Sequence, residues 1–314
     1  MRHRSANRVR LAAPGGSPFS LDDDTAYLAW RRWKLEQRPA LGELLVELED
    51  PFSLSTDETA RIQDLCRRCN LAIYKVSDRG DSNDRELIHR LGLQFGLVHL
   101  DDNLRSDEDD ITSLSVKEQA GNQYIPYTNK PMSWHTDGYY NTPEQQVRGI
   151  VLYCARPSAE GGTSSLIDHE QVYIRLRDQN PAYIEALMHP QAMTIPPNIE
   201  GGQEIRGACT GPVFSIDADT GSLHMRYSAR QRNIEWRDEA LTREAAAVIT
   251  QILDIDEIAY TYRLKAGEGI ICNNILHKRS GFSDSDEQQR LMYRARYYDR
   301  IVDTGLEESL YAVA

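Results

Sequence analysis

One short run of the sequence pairs a histidine and an aspartate at a spacing that suits a metal ion. It is Trp134-His135-Thr136-Asp137. Alternate residues of an extended strand point to the same side, so His135 and Asp137 can bind one ion together. A further histidine supplied by the fold would complete a 2-His-1-carboxylate facial triad, the ligand set of non-haem Fe(II) oxygenases. His99-Leu100-Asp101 repeats the spacing, so spacing alone does not separate the two copies.

A histidine at the end of a later strand pattern is the natural third ligand. The segment from Leu264 to His277 has the pattern strand, turn, strand and ends in this histidine. A single histidine at a strand end is more often a hydrogen-bonded structural residue than a metal ligand. The assignment of His277 therefore depends on other residues that suit the same chemistry.

An arginine pattern further along the chain provides that support. In the run from Arg290 to Tyr298, a period of two puts three arginines on one face. In an acidic protein, such a face could be a solvated, ion-paired sheet surface. The alternative is a set of planar, permanently charged groups that bind carboxylates. The residues that share this face are Arg290, Met292, Arg294, Arg296 and Tyr298.

Taken together, these residues resemble the taurine dioxygenase family of Fe(II)- and 2-oxoglutarate-dependent oxygenases, which also includes the herbicide-degrading dioxygenases. The resemblance extends roughly from Thr56 to Arg296. The motifs occur in the family's order and at similar separations. Only the copy with His135 lies the right distance before a double glycine. The motifs that carry the resemblance are Trp134–Asp137, Gly161–Ser164, Asn274–His277, and Arg290 with Arg294.

The resemblance implies a role for each matching residue. Arg290 would hold the distal carboxylate of 2-oxoglutarate. The family has a threonine two positions after the double glycine, and its hydroxyl binds the same carboxylate; here Ser164 occupies that position and Thr163 precedes it, so both hydroxyls stay candidates. Arg294 matches an arginine that contacts an anionic group of the primary substrate in several members. The residues that would bind Fe(II) are His135, Asp137 and His277.

The resemblance also implies the reaction. 2-Oxoglutarate would take two positions on octahedral iron and dioxygen a third, and oxidative decarboxylation would release succinate and carbon dioxide. The expected substrate is a small polar metabolite, an organic or amino acid, hydroxylated or desaturated at an aliphatic C–H bond. Asp137 argues against halogenation, because related halogenases replace this carboxylate with a small residue. The alternative is a metal-containing barrel that binds or senses a small acid without turnover. A zinc hydrolase would need a general base near the metal-bound water, and the sequence has no motif that supplies one.

The substrate side departs from the family pattern. Aligned on Phe95-Gly96, Asp101 falls where sulfonate-binding members have a histidine, and a carboxylate there would repel a sulfonate. Asp101 combined with Arg294 would suit a substrate with both an amine and an acid group. The residues after the metal motif could line the pocket or simply pack a loop. The candidate substrate contacts are Arg294, Asp101, His99, Tyr139, Tyr140 and Asn141.

The elements that must position these residues are short strands and amphipathic helices. Ser55-Thr56-Asp57-Glu58 is a capping box that opens a helix to Asn70. Further helices are predicted at 25–36, 83–95, 170–178, 181–188 and 239–253. Strands are predicted at 111–116, 147–155, 164–168, 213–216, 222–227, 257–264, 269–273 and 290–299, with an acidic loop at 101–110.

This order of elements predicts an α+β chain. We expect a distorted double-stranded β-helix core, jelly-roll or cupin-like, with flanking and inserted helices. Residues 1–50 are predicted to form an N-terminal extension that is packed on or flexible to the core. Residues 51–314 are predicted to form a single Fe(II)/2-oxoglutarate dioxygenase domain.

The composition limits the class of partner. The chain has 314 residues and a net charge of −12, so it lacks the surplus of Lys and Arg that neutralises nucleic-acid phosphates or an anionic membrane surface. No stretch approaches the roughly 20 apolar residues of a membrane span, and no apolar core follows the basic N-terminus. Five cysteines, an odd number, fit a reducing compartment. We therefore expect a cytoplasmic protein with a small-molecule partner, and we leave homo-oligomerisation open.

Overall fold

Two sheets carry most of the candidate site residues. The computed structural model of the chain describes residues 7–22, 24–77, 83–101, 111–116, 125–230 and 234–311. The larger sheet has six strands, in spatial order β2 (Leu45–Leu48), β3 (Leu71–Val76), β17 (Glu268–Cys272), β6 (Gly149–Arg156), β20 (Leu291–Tyr297) and β4 (Thr112–Leu114). The smaller sheet has four, in spatial order β16 (Tyr260–Tyr262), β8 (Ser164–Ile167), β18 (Leu276–Arg279) and β5 (Met132–His135). Neighbouring strands are antiparallel, except that β2 and β3 are parallel.

Six α-helices accompany the sheets within the described residues. They are α1 (Asp24–Glu36), α2 (Thr56–Cys69), α3 (Asp84–Gln94), α4 (His169–Gln179), α5 (Pro181–Met188) and α6 (Ala240–Leu253). The predicted capping box is confirmed, because the Glu58 N–H donates to Ser55 Oγ at 3.2 Å and the Ser55 N–H donates to the Glu58 carboxylate at 2.7 Å. Asn70 ends α2 in the left-handed conformation, with φ of 61°, which Asn tolerates better than most residues. The chain can therefore turn at once into β3.

Two apolar clusters hold the elements together. Helices α2 and α3 pack on the larger sheet; a Cβ at Gly92 of α3 would lie 2.6 Å from the Tyr297 hydroxyl of β20, so the close approach requires glycine. Helices α1, α4, α5 and α6 surround the second cluster, which contains Trp134 and Leu276. These two residues directly precede the histidines of the metal motif, and alternation along a strand sends the histidines to the opposite face.

The remaining strands are short and form small sheets. They are β1 (Val9–Arg10), β7 (Glu160–Gly161), β9 (Met193–Ile195), β10 (Asn198–Glu200), β11 (Gln203–Arg206), β12 (Cys209–Gly211), β13 (Phe214–Asp217), β14 (Leu223–Met225), β15 (Glu235–Trp236) and β19 (Phe282–Ser283). Short 3-10 helices lie at Leu41–Leu44, Ile125–Tyr127, Pro143–Gln145, Asp256–Ile258 and Glu308–Leu310. The sequence pattern missed β9 to β12, because strands this short show no clear alternation.

The prediction of an α+β chain is confirmed, and each predicted helix lies within one residue of its observed bounds. The strand predicted at 257–264 is shorter than expected, because Asp256–Ile258 forms a 3-10 helix and only Tyr260–Tyr262 is extended. The acidic loop predicted at 101–110 lies, apart from Asp101, outside the described residues. Among the described helices, none combines the length and the apolar character needed to cross a membrane.

Candidate active site

Three potential metal ligands converge at the smaller sheet. Strand β18 pairs with β5 so that His277 lies directly opposite His135, and the two ring centroids are 4.3 Å apart. Asp137 follows β5, with its Oδ1 3.7 Å from His135 Nε2. One potential ligand atom from each of the three residues lies within 4.8 Å of the others. The fold thus brings together the three residues that the sequence predicted as a triad.

Backbone carbonyl groups orient both imidazoles. His135 Nδ1 lies 2.9 Å from the Ser133 carbonyl oxygen, and His277 Nδ1 lies 3.0 Å from that of Ile275. Each Nδ1–H donates to its carbonyl, which leaves each Nε2 with a free lone pair for a metal. Burial, with His277 nearby, lowers the pKa of His135 to about 3. The His135 ring is therefore neutral at physiological pH, as a metal ligand must be.

Asn274 fixes the backbone of the third ligand. The Asp137 N–H donates to Asn274 Oδ1 at 2.8 Å, and Asn274 Nδ2 donates to the carbonyl oxygens of Asp137 at 2.9 Å and Val147 at 2.6 Å. Asn274 itself has a φ of 48°, a conformation that Asn adopts more readily than most residues. In the sequence, Asn274 stands out only as part of a motif, and nothing there indicates that it holds the Asp137 backbone.

The carboxylate of Asp137 has one oxygen left for coordination. Oδ1 accepts a hydrogen bond from Arg294 Nη1 at 3.0 Å, whereas Oδ2 is buried without a hydrogen-bond partner among the described residues. Burial opposes ionisation, but the positive field of Arg294, with His277 and Arg296, outweighs it, and the pKa of Asp137 lies below its usual range. A buried, ionised oxygen without a partner is costly, so this donor set fits a metal ion.

Arg290 is a buried cation that forms no ion pair within the described part of the chain. Its side chain is 7% exposed, and its guanidinium carbon lies 5.1 Å from the Phe282 ring centroid. Among the described residues no carboxylate or hydroxyl bonds the guanidinium, and burial lowers the pKa of Arg290. A Cβ at Gly162 would lie 3.7 Å from Arg290 Nε, so the predicted double glycine does lie beside this arginine.

The strand register places the two candidate hydroxyls on different sides. Ser164 pairs with Arg279, two residues after His277 on β18. Residues two apart on a strand, and residues directly opposite across a pair, share a face, so Ser164 lies on the face of His277. Thr163 pairs through its backbone with Ser280 at 2.9 and 3.0 Å and falls on the alternate side.

The predicted substrate residues have unequal surroundings. Tyr139 follows the metal motif with its ring centroid 6.3 Å from that of His135, and the Tyr140 ring lies 5.3 Å from Tyr139. His99 is exposed and pairs with Asp299 at 2.9 Å, so it does not join the metal residues. The second copy of the metal motif is therefore not a second metal site within the described residues.

Asp101 has a buried carboxylate with several partners. It is 5% exposed and forms an ion pair with Arg296 Nη2. Its Oδ1 also accepts hydrogen bonds from the Tyr298 hydroxyl at 2.8 Å and Asn141 Nδ2 at 3.1 Å. Other side chains thus already contact the carboxylate that was predicted to bind a substrate amine.

Arg226 is another residue whose role the sequence analysis missed. This buried side chain donates from Nε to the Tyr139 carbonyl at 2.7 Å, and from Nη1 and Nη2 to the carbonyls of Met193 and Cys209 at 3.0 and 2.8 Å. It therefore ties the segment after the metal motif to β9 and β12. A lone arginine inside a predicted strand carries no signal for such a role.

Comparison with known proteins decides the family. The model of the taurine catabolism dioxygenase TauD, TfdA family matches residues 35–296. The chain belongs to this family. The resemblance proposed from the metal and arginine motifs is confirmed, and the TauD, TfdA match covers every site residue that the sequence predicted.

Two curated relatives carry the name uridine-5′-phosphate dioxygenase. One, from Amycolatopsis sp., is 29% identical over 170 residues, which cover 52% of this chain and 60% of the relative. The other, from Streptomyces sp., is 24% identical over 199 residues, which cover 61% of this chain and 71% of the relative. The match thus spans less than two thirds of the Amycolatopsis enzyme.

Solved structures of non-haem iron oxygenases share the fold of this TauD, TfdA family member. The PvcB protein from Pseudomonas aeruginosa has a TM-score of 0.54 at 18% identity, covering 81% of this chain and 85% of PvcB. An asparagine oxygenase in complex with Fe(II), 2S,3S-3-hydroxyasparagine and succinate has a TM-score of 0.52 at 14% identity, covering 88% and 92%. At these identities the likeness concerns the fold alone.

Proposed function

We propose that this chain is an Fe(II)- and 2-oxoglutarate-dependent dioxygenase that hydroxylates or desaturates an aliphatic C–H bond of a small polar metabolite and releases succinate and carbon dioxide. The observation that carries the proposal is the convergence of His135, Asp137 and His277 within 4.8 Å. Arg290, a buried cation with no ion pair among the described residues, supports the binding of an acidic cosubstrate.

His135 Nε2, His277 Nε2 and the Asp137 carboxylate would hold the iron. Bound Fe(II) would supply the redox chemistry of dioxygen activation. The protein residues orient the ligands: two backbone carbonyls set the imidazoles, Asn274 holds the Asp137 backbone, and Arg294 occupies one carboxylate oxygen. Such contacts around the ligands fix their orientation toward the ion.

Arg290 and Ser164 would bind the distal carboxylate of 2-oxoglutarate. A guanidinium can form two parallel hydrogen bonds to a carboxylate, and no carboxylate among the described residues takes up the guanidinium of Arg290, which lies over the Phe282 ring. The register favours Ser164 over Thr163, because Ser164 shares the face of His277. Both hydroxyls stay in the proposal as cosubstrate contacts, with Ser164 the first to test.

The substrate we infer carries an anionic group. Two relatives are named for uridine-5′-phosphate, and Arg294 lies beside the candidate iron ligands, with its Nη1 donating to Asp137 Oδ1. Tyr139 and Tyr140 would provide apolar contact next to His135. We therefore place uridine-5′-phosphate beside amino and organic acids as the first compounds to test.

We also propose that the six-stranded and four-stranded sheets are the two walls of a distorted double-stranded β-helix. The contact of Arg294, from the larger sheet, with Asp137, after the smaller sheet, supports this arrangement. Residues 51–314 would form one domain, with residues 1–50 packed on it through β2. Location in the cytoplasm stays a proposal, supported by five free, buried cysteines.

The test uses the purified full chain with Fe(II) and 2-oxoglutarate. Anaerobic titration, followed by the absorption of the iron–cosubstrate complex, measures binding. Oxygen consumption and succinate formation are then measured with uridine-5′-phosphate and with a panel of amino and organic acids. We expect 2-oxoglutarate binding and succinate formation that one of these compounds stimulates. An iron-loaded protein that binds no 2-oxoglutarate would rule the proposal out, and binding without succinate formation would favour the sensor alternative.

A further inference from the structure

The carboxylate of Asp101 joins three segments of the chain. Asp101 precedes the undescribed residues 102–110, Arg296 and Tyr298 come from β20 and its end, and Asn141 comes from the turn after the metal motif. A carboxylate accepts about four hydrogen bonds, and these partners supply three donors to a side chain that is 5% exposed. Little of Asp101 is left for a substrate to reach.

Arg296 connects Asp101 to Tyr140. Its Nη2 pairs with Asp101, and its Nη1 donates to the Tyr140 hydroxyl at 2.9 Å. Arg296 is 4% exposed, and a buried guanidinium holds its orientation only while both partners are in place. The position of the Tyr140 hydroxyl therefore depends on the Asp101 carboxylate.

Tyr140 belongs to a tight turn that directly follows a metal ligand. In this turn the Asn141 N–H donates to the Gly138 carbonyl at 2.8 Å. Gly138 has a φ of 65°, and a Cβ there would lie 2.5 Å from Val147 Cγ2, so only glycine fits. The turn presents the Tyr139 ring edge-to-face to His135. Asp101 contacts this turn twice, directly at Asn141 and through Arg296 at Tyr140.

We propose that Asp101 is a positioning residue, which acts through Arg296 and Asn141 to hold the two tyrosine rings against the metal site. The inference rests on the proposed function. The rings of Tyr139 and Tyr140 would form the wall against which the substrate C–H bond is aligned. Misplacement of a reacting group by about 1 Å is enough to cost a large factor in rate, and in an oxygenase it lets cosubstrate turnover proceed without product.

Loss of the Asp101 carboxylate should affect ligand binding and product formation differently. Asp101 contacts neither the three potential iron ligands nor Arg290, so its loss should leave the binding of Fe(II) and 2-oxoglutarate intact. Loss of the wall should instead lower the amount of product formed per succinate. A residue that merely stabilises the fold would lower the melting temperature without changing this ratio.

The variants are Asp101→Asn, Tyr140→Phe and the double variant. Asp178→Asn is the matched control, because Asp178 also accepts from one tyrosine, Tyr27 at 2.6 Å, and from one arginine, Arg31 at 2.7 to 2.9 Å, between α1 and α4. Each full-length protein is loaded with Fe(II). We measure the anaerobic Kd for 2-oxoglutarate and the product-to-succinate ratio with uridine-5′-phosphate, or with the acid from the panel that stimulates turnover.

We expect Asp101→Asn to lower the ratio about tenfold while the 2-oxoglutarate Kd stays within about twofold of the parent value, since the cosubstrate contacts are separate. Tyr140→Phe lowers the ratio in the same direction, and the double variant is no worse than Asp101→Asn, because both changes break one chain of contacts. Asp178→Asn leaves the ratio unchanged.

Three results would overturn the inference: an unchanged ratio in Asp101→Asn, additive losses in the double variant, or a raised KM for the substrate with an unchanged ratio, which would make Asp101 a direct contact. If Asp101→Asn does not fold, Tyr140→Phe decides alone, because it removes the Arg296 hydrogen bond and leaves the ion pair; an unchanged ratio would then overturn the inference. A parent protein that binds no 2-oxoglutarate is a different result, which ends the proposed function itself.

Discussion

At the scale of single residues, three arginines on β20 or directly before it differ in the acidic groups that they contact. Arg296 is paired with Asp101, and Arg294 contacts the metal-side carboxylate of Asp137. Arg290 forms no ion pair among the described residues, although Asp284 lies close enough to accept a hydrogen bond from its backbone N–H at 3.0 Å. Charge balance in a buried site therefore supports the proposal that Arg290 binds the cosubstrate carboxylate.

Replacement of Arg290 by Ala should weaken 2-oxoglutarate binding and leave iron bound. A charge-assisted hydrogen bond contributes about 1.5–3 kcal/mol, so we expect the Kd to rise about 10- to 100-fold. Anaerobic titration of the iron-loaded protein measures this. The matched control is Arg156→Ala. Arg156 lies opposite Leu291, the first residue of β20, but it is exposed, and its Nε donates to the Gln289 carbonyl. Equal affinities in Arg290→Ala and the parent would refute the assignment.

The two copies of the His-x-Asp motif can be separated by iron content. His135→Ala removes a ligand that lies opposite His277 and should abolish stoichiometric Fe(II) binding. His99→Ala removes an exposed ring that pairs with Asp299 and should leave iron bound. Iron per chain after anaerobic loading and desalting is the measurement. Loss of iron in His99→Ala would mean that the wrong copy had been chosen.

The sequence predicted which residues lie at the site better than it predicted what they touch. The spacing of His135 and Asp137 and the family resemblance were sufficient for the triad, because strand alternation fixes which side chains share a face. The partner of Asp101 was not predictable, since Arg296 is distant in the sequence and any of three arginines could have paired with it. Only the register of β20 against its neighbours decides that pairing.

At the scale of elements, α1 is attached to the core by a buried ion pair. Lys34 is fully buried and pairs with Asp168 at 2.9 Å and with Glu170. Asp168 also caps α4 and accepts from Asn70 Nδ2 at 2.8 Å. The N-terminal helix is thus connected to the strand that carries Ser164, because α4 follows β8 directly.

Lys34→Met should destabilise the protein, because it leaves two carboxylates buried without their cation. Removing one partner of a buried ion pair costs about 3–5 kcal/mol, and we expect the free energy of unfolding in urea to fall by that amount. The control is Lys75→Met, which breaks an exposed pair with Glu47 at 2.7 Å and should cause no measurable change. Equal effects of the two substitutions would contradict the structural role of Lys34.

A buried histidine on β14 should make the stability depend on pH. Burial, with Arg148 and His169 nearby, holds the pKa of His224 well below its ordinary value of 6.5. Between these two values the unfolded chain binds a proton that the folded chain does not, so stability is lost as the pH falls below 6.5. One such group contributes a slope of about 1.4 kcal/mol per pH unit. In the metal-free protein, His224→Gln should reduce the slope of urea stability against pH, and an unchanged slope would contradict this.

The predictability of the elements follows their length. Helices of eight residues or more were predicted within one residue, because apolar periodicity and caps such as Ser55 act locally. The short strands β9 to β12 were missed, because pairing partners rather than local pattern stabilise them. Strand β2 was also missed, since its parallel partner β3 lies beyond an intervening helix.

At the scale of the whole molecule, the candidate site draws on both sheets. The iron-ligand candidates come from β5, β18 and the residues after β5, whereas Arg290 and Arg294 belong to β20 or precede it directly. A metal and cosubstrate bound between them would connect the two sheets. Ligands that bind only the folded state raise its stability, by about 2.7 kcal/mol at 100 times the Kd.

We therefore expect two successive increases in the anaerobic melting temperature. Fe(II) should raise it because it would satisfy the Asp137 oxygen that has no hydrogen-bond partner among the described residues. 2-Oxoglutarate should raise it further only when Fe(II) is present, since the proposed function has the keto acid bind the metal as well as Arg290. Glutarate, which lacks the keto oxygen, is the matched control and should add less than 2-oxoglutarate. If 2-oxoglutarate raised the melting temperature equally with and without iron, the cosubstrate would bind away from the metal. The proposal that the metal and cosubstrate together connect the two sheets would then be wrong.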